Sequence, residues 1–368
     1  MKIVLMCSND LLNNNGGINT FFRHFFSMSN FLKLDVTLVT DICRDDFSFS
    51  DDDLKKIICG LPYNFNESEA EYACPNDEYT YRNIQADRLT KLILNHFDVN
   101  EEYIFISNCH VSTEALNNLV YKYSKSKFIS YTHIGDLFHE DEDSYDFDNK
   151  FVEKYIKTIS TNAKIINCTQ LEDFIPIVNS KTGRNDTVFA NEPFYDSEPE
   201  LFFDNDFKSG IIIICANYKR KRLDKMIEIL SHLDEPVKII TTALEHGYYD
   251  INRLLSKYKV QGIVLENVPN KDILLHVKMS KLLLHVADIE VCPYSIIESS
   301  SILPVAVNGD ANWSKAMSNF VYYISEDPVV AAKEIKELLK AAPKNDYKKY
   351  VQEFENQWKN ILFGGEYI

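Results

Sequence analysis

Two glutamates, Glu290 and Glu298, stand eight residues apart in the segment KLLLHVADIEVCPYSIIESSSILPVAVN (281–308), and the pattern around them gives the spacing chemical meaning. Residues 282–286 read as a buried strand, a polar turn runs to Pro293, a short helix carries Glu298, and a second apolar strand starts at Pro304. A βαβ unit of this kind sets the first turns of its helix beyond a strand end. Free N–H groups and the positive end of the helix dipole there suit an anion such as a diphosphate. A carboxylate in the same place can accept hydrogen bonds from a vicinal diol such as a nucleotide ribose. Two surface glutamates around an ordinary core βαβ unit would give the same letters, so the order strand, turn, helix, strand is what lends the pair weight.

Other chemistry-bearing residues fall at comparable places. A basic run, Lys219 to Arg222, follows the apolar stretch GIIIICAN (210–217); such a run is common on a solvated face or helix end. Gly16 and Gly17 lie between the opening strand KIVLMCS (2–8) and a helix expected from about Ile18 to Leu32. There they could bring backbone N–H groups close to a ligand, although a plain loop and helix cap needs the same residues. No full GxGxxG fingerprint is present. Lys122, Lys125 and Lys127 form a second small basic cluster.

These residues need a frame, and the chain supplies one by alternation. After DVTLVTD (35–41) and an acidic, irregular passage over 42–81 with a short strand at 56–59, the order is helix 83–96, strand 103–108, helix 112–123, strand 127–133, helix 149–160, strand 163–169, helix 170–178 and strand 187–191. Repeated β-α order predicts a parallel sheet wrapped on both faces, with ligands beyond the C-terminal strand ends. Ser107, Asn108, His110, His133, Asp136 and Asn191 fall at those ends. A second series starts at Gly210: helix 221–233, strand 236–242, helix 249–258, strand 262–268, helix 271–279, the βαβ unit above, strand 320–325 and helix 329–342. The last stretch, 346–362, is an amphipathic helix with Tyr350, Phe354, Trp358 and Leu362 spaced by four. A packing helix of the second half would show the same stripe; a helix that crosses back to the first half is the preferred reading.

With 368 residues, 45% hydrophobic and 26% charged, two domains of roughly 150 to 200 residues are expected. The fold class is α/β with two Rossmann-like, doubly wound parallel sheets: residues 1–194 with the terminal helix 344–368, and residues 195–343. No apolar run is long enough to span a bilayer and the N-terminus is unlike a signal peptide, so a cytoplasmic location and no membrane partner are expected. Eight scattered cysteines without a CxxC pair read as reduced core residues, and no metal site is expected from the adjacent aspartates at 51–53. The formal charge of −16 argues against binding nucleic acid or anionic membrane through the whole surface, leaving room for a local basic groove.

The Glu, seven residues, Glu pattern followed by a small-residue helix and Pro-Val resembles the donor site of retaining GT-B glycosyltransferases, which would bring the two sheets to face a central cleft. ISNCHVSTEALNNLVYKY (106–123), KFISYTHIGD (127–136), KIINCTQLEDF (164–174), VFANEP (188–193) and YSIIESSSILPVAV (294–307) resemble, in the same order, pieces of the DNA α-glucosyltransferases of T-even bacteriophages. That resemblance implies transfer of a sugar from a UDP donor, UDP-glucose or UDP-arabinose, onto 5-hydroxymethylcytosine in double-stranded DNA, with retention and without an added cofactor. It implies that Lys221 stabilises the β-phosphate and that Glu298 binds the ribose. Gly16, Gly17, Asn191, Arg220, Arg222, Val268, Glu290, Tyr294 and Ser295 would complete the donor site. His133 and Asp136 would stand at the catalytic centre, and Ser107, His110, Lys125 and Lys127 would meet the acceptor. The arginine usual about five residues before the lysine is absent, Ala216 or Asn217 standing there, and Arg220 or Arg222 is the expected substitute.

Two other functions compete. A GT-B enzyme acting on a surface polysaccharide or lipid-linked glycan would share the donor site, but the acidic composition and lack of a basic amphipathic helix fit an anionic membrane poorly. A non-catalytic nucleotide-sugar binder would be marked by loss of Lys221 and Glu298, and both are present.

Overall fold

The structure is a computed structural model and describes residues 2–7, 21–22, 24–26, 28–29, 33–41, 56–60, 78–132, 146–170, 172–190, 209–241, 247–268, 270–288, 290, 293–309, 314, 321–341 and 347–364. They fall in two compact units, Met1–Tyr195 with Phe354–Ile368, and Asp196–Glu353.

In the first unit the elements run β1 (Lys2–Cys7), β2 (Val36–Thr40), β3 (Ile57–Cys59), α1 (Glu78–His96), β4 (Tyr103–Ser107), α2 (His110–Leu119), β5 (Lys127–Thr132), α3 (Asp146–Thr161), β6 (Ile165–Thr169), α4 (Ile175–Thr182) and β7 (Val188–Phe189). The described strands form a seven-stranded sheet in the order β3-β2-β1-β4-β5-β6-β7, every pair parallel. The apolar runs of β1, β2 and β4 are buried because helices cover such a sheet on both faces, while the edge strands β3 and β7 are only partly covered. The helix expected over 170–178 begins later. A 3-10 turn occupies Glu172–Phe174, Pro176 fits the first turn of α4, where its missing N–H costs nothing, and Gly183 ends that helix at φ 69°.

The second unit contributes β8 (Ile211–Ile214), α5 (Leu223–Leu230), β9 (Val237–Thr241), α6 (Ile251–Tyr258), β10 (Gly262–Glu266), α7 (Asn270–Lys278), β11 (Leu282–His285), α8 (Tyr294–Ser300), β12 (Val305–Asn308), β13 (Tyr322–Ile324) and α9 (Pro328–Ala341). Its sheet is again parallel throughout, ordered β10-β9-β8-β11-β12-β13. Chain order reverses between β8 and β11, the switch point at which open α/β sheets collect ligands. Ile211, Ile213, Leu282, Leu284, Leu223, Met226 and Ile227 form the core that backs it. Gly210 opens β8 at φ 71°, and a Cβ there would lie 2.2 Å from the Pro236 carbonyl oxygen, so only glycine lets β8 and β9 meet.

The terminal helix α10 (Tyr347–Phe363) carries Phe354, Trp358 and Leu362 into the first unit, where all three are buried. The Trp358 ring meets Phe25 edge-on at 5.1 Å and Tyr131 at 5.3 Å. The Tyr350 side chain lies outside the described residues. No helix among the described residues is long and apolar enough to cross a membrane.

Candidate functional site

The site takes shape where β8 and β11 end. In place of the helix expected from Lys221, Lys219–Lys221 make a 3-10 turn, and Arg222 sits at φ 42° before α5 begins. The left-handed residue breaks the helical path, so Lys221 turns inward and is 9% exposed although it lies in the most basic run of the chain. Its ammonium pairs with Oε1 of Glu290. Nε2 of His285, the buried last residue of β11, meets the same oxygen at 2.8 Å. Burial alone would raise the Glu290 carboxyl, but the Lys221 charge and the His285 contact outweigh it and hold it well below the usual carboxylate range. Burial pushes the neighbouring Cys215 thiol up to about 12, against the pull of Lys221, so it stays protonated at neutral pH.

The loops that carry these groups are pinned to one another. Asp288 N donates to the Arg220 carbonyl at 2.9 Å, and Arg222 Nη1 reaches Asp288 Oδ1 at 2.8 Å. Asn308, at the end of β12, donates from Nδ2 to the Ala287 carbonyl at 3.1 Å and accepts from Ala287 N at 3.2 Å. Asn217 does the same for the segment before α6, bonding both N and O of Tyr249 at 2.9 Å. Among the described residues no carboxylate pairs with Arg220, whose guanidinium lies 5.7 Å over the Tyr218 ring. Of the two arginines expected to replace the missing phosphate ligand, Arg222 therefore pairs with Asp288, whereas Arg220 pairs with no described carboxylate.

Glu298 sits five residues into α8, past its first turn, and is half-buried; Tyr294 is buried at the helix start and Ser295 is half-buried beside it. The amide N–H groups of Ile296 and Ile297 are already taken by the Pro293 carbonyl. Val268, half-buried, follows β10 at the same edge of the sheet. Gly16, Gly17, His133, Asp136 and Asn191 lie outside the described residues, as does the His110 side chain.

Ser107 closes a buried hydroxyl chain, Ser107 to Thr113 at 2.8 Å and Thr113 to Ser130 at 2.9 Å, which ties β4, α2 and β5 together. Lys125 and Lys127, expected to meet an acceptor, are at the N-terminal end of β5, the edge opposite to Ser107. Lys125 donates to the Asn100 carbonyl at 3.2 Å, and Lys127 binds the Ile361 and Leu362 carbonyls at the end of α10. An ammonium at a helix C-terminus satisfies orphan carbonyls and complements the dipole, a structural use. Sequence reading missed His285, whose signal was a lone imidazole at the end of the apolar run LLLH. It also missed Asp41, fully buried at the end of β2 and held by Arg88 at 2.9 and 2.7 Å. Among the described residues no cluster of three or more His, Cys, Asp or Glu could hold a metal ion.

No protein-family model matches the chain, and no curated protein matches it in sequence. Solved structures do match. A variant of TarM from S. aureus, in complex with fondaparinux, alpha-GlcNAc-glycerol and UDP, is 10% identical, with 98% of this chain and 99% of that one covered at a TM-score of 0.66. Sucrose-phosphate synthase from Thermosynechococcus elongatus is 10% identical over 99% and 100% at 0.65. WaaG, a glycosyltransferase of lipopolysaccharide biosynthesis, is 12% identical over 99% and 100% at 0.57. Together with two parallel α/β units, these likenesses establish the architecture: the chain has the two-domain GT-B fold.

Proposed function

We propose that this protein is a UDP-sugar-dependent glycosyltransferase whose second unit holds the donor and whose first unit takes the acceptor. The observation that carries this reading is the buried Lys221 ammonium, paired with Glu290 at the β8/β11 switch point of a GT-B fold. In glycosyl transfer the bond from the anomeric carbon to the diphosphate oxygen breaks, its electron pair leaves with UDP, and the acceptor oxygen bonds to the same carbon as its hydroxyl proton passes to a base beside it. Charge then grows on the β-phosphate, and a preorganised cation in a dry site stabilises it. In this reading Lys221, with Arg220 beside it in the same turn, serves the β-phosphate, and the ribose diol binds Glu298. The UDP found with TarM supports the choice of donor nucleotide. No divalent metal is assigned a part.

For the acceptor, the ordered sequence resemblance supports 5-hydroxymethylcytosine in DNA, transferred with retention in the host cytoplasm, with His133 and Asp136 at the reacting hydroxyl. Glucose and arabinose both remain as the sugar, because donors differing by one CH₂OH are separated by about 1–3 kcal/mol of contacts. The second reading, a glycan acceptor, is favoured by the alpha-GlcNAc-glycerol and fondaparinux in the TarM complex. The deciding experiment offers a panel of UDP-sugars with hydroxymethylcytosine DNA and, separately, with oligosaccharides. Nucleoside mass analysis should show one added hexose or pentose on hydroxymethylcytosine and none on cytosine. Sugar transferred only to the oligosaccharides selects the second reading, and UDP release with no acceptor in either arm removes both.

A further inference from the structure

Asn108, one residue beyond β4 in the first unit, is 1% exposed, and neither its Oδ1 nor its Nδ2 has a hydrogen-bond partner. A buried amide with both ends unmet gives up its bonds to water for nothing within the fold, so each such group calls for an explanation. Capping the next helix falls to Cys109 and Ser112, not to Asn108. Ser112 Oγ accepts from the N–H groups of Asn108 at 3.3 Å and Cys109 at 3.2 Å, and Cys109 is the residue that leads into α2. Nor is the surrounding sheet short of partners. Ser107, Thr113 and Ser130 bond one another, and Asn167 on β6 accepts from Tyr155 at 2.9 Å and donates to Thr187 at 3.3 Å. Those groups are satisfied, whereas Asn108, with both ends of its amide open, stands at the C-terminal strand edge beside the β1/β4 switch point where ligands of such sheets bind; at the same end of the sheet Thr169 Oγ1 is also without a partner.

We infer that Asn108 is an acceptor-recognition residue whose amide bonds a ligand group offering a donor and an acceptor side by side. An aminopyrimidine edge, N–H beside a ring nitrogen, has that pattern, and so does the vicinal diol of a sugar. The inference rests on the proposed transferase reading and names the side chain that would select its acceptor. The same amide cannot be kept for stability, since removing an unmet buried polar group relieves desolvation without breaking a bond.

The test uses the full chain with Asn108→Val, and Asn108→Ala to guard against added bulk. Melting temperature, UDP affinity by calorimetry, and affinity for two probes are measured separately: 5-hydroxymethyl-2′-deoxycytidine monophosphate and maltotriose. Both variants should melt no lower than the wild type, bind UDP within twofold, and lose at least tenfold in affinity for one probe. Loss confined to the nucleotide identifies the aminopyrimidine edge, and loss confined to maltotriose identifies the diol. A fall of several degrees in both variants would give the amide a packing role and overturn the inference, as would unchanged affinity for both probes or a wild type that binds neither. A wild type that does not bind UDP defeats the transferase reading itself, a result visible independently of the probes.

Discussion

Replacing Lys221 by Met leaves the Glu290 carboxylate in a buried pocket with His285 as its remaining partner. Opposite charges about 3 Å apart attract by roughly 5 kcal/mol at an effective dielectric near 20, and breaking one side of a buried pair costs about 3–5 kcal/mol because the other charge is stranded. Glu290→Gln strands Lys221 in turn. If the pair is the unit, the double variant loses no more than the worse single, since neither charge is then left alone. Hydrogen exchange of peptides covering β11 and α8 reads the local opening free energy without requiring two-state unfolding of a two-unit chain. We expect each single to lose about 3–5 kcal/mol and the cycle to show a coupling of at least ~2 kcal/mol. Losses that add to within ~0.5 kcal/mol would show that the two side chains act independently and refute the reasoning. Lys221→Met should also lower turnover about 10²–10³-fold as a lost transition-state contact.

The same pair sets an acid dependence. The Glu290 carboxyl is held below its ordinary value, so its stabilisation is full above about pH 4.5 and shrinks as pH falls toward the folded-state value; the stability gap between wild type and Glu290→Gln should narrow from pH 5 to pH 3 in urea titrations. Glu298→Ala should weaken UDP binding more than tenfold, about 1.4 kcal/mol, in calorimetry, and unchanged affinity would remove the ribose assignment. EDTA should leave turnover intact; activity lost with EDTA and restored by Mg²⁺ or Mn²⁺ would reveal a metal site, with Asp288 and Asp136 the first residues to test. Trp358→Ala should destabilise by about 3–5 kcal/mol in chemical denaturation, because it empties a fully buried ring site against Phe25 and Tyr131, and a loss under 1 kcal/mol would contradict that packing.

Period and order along the chain were enough to place most elements within a few residues. Apolar runs such as YIFIS (103–107) and LLLH (282–285) have one comfortable environment, the middle of a parallel sheet, and alternation with helices determines that both sheets are wound on two faces. The four-residue spacing of Phe354, Trp358 and Leu362 likewise declares a buried stripe. Which unit receives it is not local information and depended on Phe25 and Tyr131 being there to fill around Trp358. The candidate site divides in the same way. Glu290 and Glu298 could be picked out by type and spacing and Lys221 by the family resemblance, but KRKRLDKMI has the letters of a helix, and the left-handed Arg222 that turns Lys221 inward is fixed by what surrounds it. Glu290 finds Lys221 69 residues away, Asp41 finds Arg88 47 away, and Lys127 finds the Ile361 carbonyl 234 away. Spacing along the chain determines periodic burial, because helices and strands repeat every 3.6 or 2 residues. Pairings between charges on different strands and loops carry no period, and only the closed sheet decides them.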